Sequence, residues 1–115
     1  MRRVVVTGMG VISPVGNDLE SFWNNLTEGK NGVGMITRFD TTEQKVKVAA
    51  EVKDFEPTKY IEKSQVRKTD LFAQYALAAA VQAMEDAGLK SGENIDAERL
   101  GVYVGSGTGG INTIT

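Results

Sequence analysis

Cysteine and histidine are both missing from these 115 residues. Without cysteine no disulfide framework can form. Without either residue, neither a Cys–His nor a Ser–His nucleophile pair can be assembled, and the usual zinc ligands are lacking. Carboxylate or lysine chemistry stays formally open, yet no acid pair stands at a convincing spacing in an apolar setting. An excess of positive charge is also lacking. Lys and Arg total 13 against 15 Asp and Glu, a formal charge of −2 and a pI of about 5.1. The chain as a whole therefore has no electrostatic reason to bind nucleic acid or an anionic membrane. No apolar run reaches membrane-spanning length. The start, Met1-Arg-Arg-Val-Val-Val-Thr-Gly8, is charged, but its apolar stretch is broken too early for a secretory signal. A cytoplasmic enzyme or binding module without cofactor or metal is expected.

Enough apolar residues are present, 41%, to bury one modest core. The order of elements alternates strand and helix. Arg3–Thr7 is a β-branched run ending at Gly8-Met-Gly10 and reads as a buried strand and turn. Asn17, with Glu20 three residues on, is the expected cap of a helix carrying Leu19, Phe22, Trp23 and Leu26 on one stripe, closed by Gly29. Residues 29–42 read as a long surface loop. Lys45–Val52 alternates charged and apolar side chains, as an edge strand or hairpin does. Pro57 opens a short helix through Tyr60 and Ile61. Thr69 or Asp70 caps the strongest helix, Leu71–Ala87, which is rich in alanine and ends at Gly88. Its small residues imply close approach of other backbone. Phe72, Tyr75, Ala76, Ala79 and Ala83 form the expected core-facing stripe. Ile95–Arg99 contributes one more turn before a last buried strand, Leu100–Val104.

That strand delivers the loop Gly105-Ser-Gly-Thr-Gly-Gly110, and only five residues follow it. Four glycines in such a loop bring backbone close to a ligand or another segment. The chain thus reads as the opening portion of a larger enzyme. The loop matches G-x-G-x-x-G, but the dinucleotide fingerprint also needs a helix to receive the pyrophosphate and an acidic residue about twenty positions on. Five residues supply neither, so a conformational role is the better reading. A free-standing nucleotide-binding module using Gly105–Gly110 is the alternative. Lys59, Lys63 and Arg67 recur every four positions with Lys68 beside them, so a helix there would gather them on one face. Such clusters are more often solvated surface than docking sites for an acidic partner.

Val4-Val-Val-Thr-Gly-Met-Gly10, Ser13-Pro-Val-Gly-Asn17, Phe22-Trp23, Ile36-Thr-Arg-Phe-Asp40, Val52-Lys-Asp-Phe55, Arg67-Lys-Thr-Asp-Leu-Phe72, Gln74-Tyr-Ala76, Ala83-Met-Glu-Asp-Ala-Gly88 and Gly105–Gly110 follow one another in order. Together they resemble the N-terminal portion of the β-ketoacyl-acyl-carrier-protein synthases, most closely the synthase II type of bacterial fatty-acid synthesis. The resemblance implies a thiolase-like α-β-α-β-α layered fold, residues 1–115 being most of its first half. It implies a homodimeric acyltransferase that performs a decarboxylative Claisen condensation between acyl and malonyl-acyl carrier protein. The family's cysteine nucleophile and two histidines have no counterpart in this chain, so these residues alone are expected to be inactive. Lys63, Arg67 and Lys68 match the family's basic patch for acyl carrier protein, a strongly acidic partner. Gly107 and Thr108 match the loop that walls the acyl pocket. The family usually carries a branched apolar gate where Thr108 stands, and threonine keeps the β-branching and similar volume.

Overall fold

The computed structural model describes residues 1–114; Thr115, the last residue of the expected 1–115 domain, lies outside them. The chain divides into two units, residues 11–55 and residues 1–10 together with those from Glu56 onward.

In the first unit, Ser13 and Gly16 exchange backbone hydrogen bonds of 2.9 and 3.2 Å across Pro14-Val15. The amide of Asn25 ties this turn to helix α1, Leu19–Thr27, by donating to the Val15 carbonyl at 2.6 Å. The cap of α1 is Asp18, whose carboxylate accepts from the Ser21 N–H at 2.7 Å. This corrects the expected Asn17 capping box. Asn17 instead donates to the Lys53 carbonyl at 2.6 Å. Strand β1, Val33–Met35, lies inside the stretch expected to be loop. It pairs antiparallel with β2, Val48–Ala50, within the expected hairpin segment, with Gly34 opposite Ala49. Beside them the Thr37 N–H and hydroxyl bind Glu51 and hold its carboxyl below the usual glutamate range.

The second unit is organised on α3, Leu71–Ala87, which runs as expected from an Asp70 cap to Gly88 at φ +65°. Its alanines give backbone the close approach their size permits. A Cβ on Gly10 would lie 2.7 Å from the Gln82 Cβ and 2.8 Å from the Ala83 nitrogen, and one on Gly8 would lie 2.6 Å from the Ala87 nitrogen. Asp86 fixes the same crossing by accepting from the Met9 N–H at 2.9 Å. The residues of α3 that are fully covered are Gln74 and Ala78, not the expected aromatic–alanine stripe; Phe72 is 41% exposed. Two short pieces precede α3: a 3₁₀ turn at Pro57–Lys59, with proline at its start as expected, and α2, Lys63–Val66. A second 3₁₀ turn at Ala97–Arg99 meets the expectation for 95–99, and α4, Ile111–Ile114, follows the glycine loop.

The expected strands at Arg3–Thr7 and Leu100–Val104 are not formed among the described residues. Both segments are exposed, Val4 at 93% and Tyr103 at 97%. A strand is a property of a hydrogen-bonded pair, and neither segment has a ladder partner.

Candidate functional site

Glu56 and Pro57 begin the segment that carries the basic residues. Tyr60 leaves helical geometry and Glu62 is extended, so the single helix that would put all four basic residues on one face is not formed: there are two pieces, broken at buried Ile61. Lys59 is thereby separated from the others and pairs with Glu56 at 3.7 Å. Lys63, Arg67 and Lys68 stay together: with Ser64 they line one surface depression. All three are exposed, and none takes part in an ion pair among the described residues. Three exposed cations outside any ion pair among the described residues, on a chain of net charge −2, form a positive feature suited to an acidic surface.

What holds this feature in place comes from the following helix. Gln74, only 5% exposed, directs its side-chain amide at the α2–α3 junction. It donates to the Val66 and Thr69 carbonyls at 3.0 Å each and reaches the Thr69 hydroxyl at 3.4 Å. The Thr69 hydroxyl donates in turn to the Gln65 carbonyl at 2.9 Å. A side-chain amide in the first turn of an apolar–alanine helix, just after a short helix whose last carbonyls need donors, was the available signal.

The other candidate residues do not join this depression. Gly107 and Thr108 stand in an exposed bend, and a Cβ on Gly107 would meet nothing within 4 Å. The loop is braced at its end by the Gly109 N–H donating to the Ser106 hydroxyl at 3.0 Å. It then meets α3: the Thr113 hydroxyl donates to Asp70 Oδ2 while Asp70 Oδ1 accepts from the Leu71 N–H at 2.7 Å. A Cβ on Gly110 would sit 2.8 Å from the same carboxylate. Although a helical turn does follow the loop, contrary to expectation, a carboxylate stands against it, and one turn makes no phosphate site. The nucleotide-binding alternative finds no support in this geometry. No cluster of three or more metal-ligating side chains occurs among the described residues, and none of their helices is long and apolar enough to cross a membrane.

The profile of a family described as "Beta-ketoacyl synthase, N-terminal domain" matches residues 1–115. Among curated relatives, the 3-oxoacyl-[acyl-carrier-protein] synthase 2 of Vibrio harveyi is 51% identical over 98% of this chain and 27% of its own length. The Coxiella burnetii protein of the same name is 49% identical over 96% of this chain and 26% of its own. The chain thus spans about a quarter of the length of these relatives. A solved structure of the ishigamide ketosynthase/chain length factor superposes with a TM-score of 0.72 at 45% identity, covering 77% of this chain and 22% of that one. A second, a type II polyketide-synthase acyl carrier protein in complex with its ketosynthase bound to the hexaketide, gives 0.55 at 26% identity over 84% and 22%. The α/β fold is that of the thiolase-like ketosynthases. On the match along its whole length to that N-terminal domain, the chain belongs to the β-ketoacyl synthase family.

Proposed function

We propose that these residues are the N-terminal portion of a cytoplasmic, homodimeric 3-oxoacyl-acyl-carrier-protein synthase that elongates fatty acids. In that reaction, malonyl-acyl carrier protein loses carbon dioxide. The resulting enolate attacks the thioester carbonyl of an enzyme-bound acyl group and expels the enzyme thiolate. With no cysteine or histidine, this portion provides none of those groups. Its own contribution is the surface that receives the carrier and part of the wall that lines the acyl chain, at Gly107 and Thr108.

The observation that carries this reading is the grouping of Lys63, Arg67 and Lys68 around one depression, none of them in an ion pair among the described residues, in a chain about half identical to synthases named for an acyl-carrier-protein substrate. Exposed charges of this kind act chiefly on encounter and orientation of an oppositely charged partner. Reversing two of them, Lys63→Glu with Arg67→Glu, in the full-length synthase is expected to raise KM for carrier-borne substrates at least tenfold, an order of magnitude set by repulsion replacing attraction. The increase should shrink as salt screens the contact. An unchanged KM would remove the docking surface from the assignment.

A further inference from the structure

We infer that Gln74 is a positioning residue for the carrier-protein surface, setting where Arg67 and Lys68 stand without touching the partner itself; the inference rests on the docking role proposed for that surface. Helix α2 has four residues, Lys63–Val66. A helix this short does not hold its own geometry, because one turn fixes several backbone dihedrals for very few hydrogen bonds. What fixes it must come from outside. The Gln65 carbonyl is met by the backbone N–H of Lys68, but the Val66 carbonyl, the last of the helix, depends on side-chain donors.

The donors are Gln74 and Thr69. The Gln74 amide reaches back from α3 to the Val66 and Thr69 carbonyls, and the Thr69 hydroxyl covers the Gln65 carbonyl. Lys68 closes the turn by donating its own N–H to the Gln65 carbonyl at 3.0 Å. Arg67 and Lys68 lie between Val66 and Thr69, the two residues whose carbonyls the amide grips. One buried side chain on a long, well-capped helix thereby fixes both ends of the segment bearing two of the three cations. Burial sharpens this arrangement, because the Gln74 amide, 5% exposed, would be costly to leave without acceptors.

The test is Gln74→Leu in the full-length synthase, assayed with acyl-carrier-protein substrates and with the same acyl and malonyl groups on a short pantetheine thiol. Leucine fills similar space but offers no donor. KM for carrier-borne substrates should rise roughly five- to tenfold, the size expected when a few exposed charge contacts lose their placement. kcat, and kcat/KM for the pantetheine thioesters, should stay within about twofold. Equal losses on both substrate types, or no change on either, would overturn the inference. If Gln74→Leu yields no folded enzyme, Thr69→Val removes the hydroxyl donor at the same junction and must show the same split. Charge reversal at Lys63 and Arg67 runs alongside. If it raises the carrier KM while the junction variants do not, the positioning role alone fails; if it does nothing, the docking role fails.

Discussion

At position 10 a single methyl group would meet the Gln82 Cβ at 2.7 Å and the Ala83 backbone nitrogen at 2.8 Å. Such contacts cannot be relieved by rotating a flexible side chain, so the backbone would have to move. Gly10→Ala is therefore expected to destabilise the full-length synthase by about 1–3 kcal/mol, the usual cost of overpacking. Gly105, where a Cβ meets nothing within 4 Å, serves as the comparison: alanine there should change stability by less than about 0.5 kcal/mol. Denaturant midpoints of the two variants check both numbers. Equal midpoints would mean that the crossing over α3 is looser than its geometry states.

Among the elements, those fixed by neighbours in sequence were legible and those fixed by distant partners were not. Helix α3 was readable from its alanines, its Asp70 cap and its closing glycine, all local signals. The turns at Pro57 and at 97–99 were readable for the same reason. Helix α1 was found, but its cap was misplaced by one residue because Asn17 and Asp18 are equally good caps. The choice is made by tertiary structure: Asn17 is drawn away to the Lys53 carbonyl. Asp18→Ala is accordingly expected to cost about 1 kcal/mol through lost capping, and helix α1 should show the loss as faster amide exchange in its first turn. Asn17→Ala should leave that exchange unchanged; the reverse ranking would restore the capping box. The cations at 63, 67 and 68 were legible as a group, whereas the break at Ile61 that separates Lys59 depended on burial, which no local pattern announces. The role of Gln74 was harder to read for a related reason, since the carbonyls it serves, those of Val66 and Thr69, lie outside its own helix.

For the whole molecule, 9294 Å² of surface stays accessible, against roughly 6,100 Å² for a folded monomer of this mass by the usual scaling. Among the described residues, the covered apolar ones are Ile61 and Ala78. Valines 4 to 6 and residues 102 to 104 lie open, as does the groove along α3 lined by Leu77, Val81, Met84 and Leu89. Apolar surface on this scale is ordinarily covered in a working protein. Produced as these 115 residues alone, the chain should bind a hydrophobic dye, self-associate, and form no condensation product from acyl and malonyl-acyl carrier protein. A monodisperse, cooperatively melting monomer, or measurable product, would contradict this.

The lane between residues 8–10 and α3 carries a genetic consequence. Its walls are partly main chain, at Ala83 and Ala87, and main chain cannot be trimmed by mutation. Damage at Gly8 or Gly10 should therefore have few second-site suppressors on the facing helix. A selection that randomises the alanines across the lane while either glycine is enlarged should return true revertants in preference to compensated pairs.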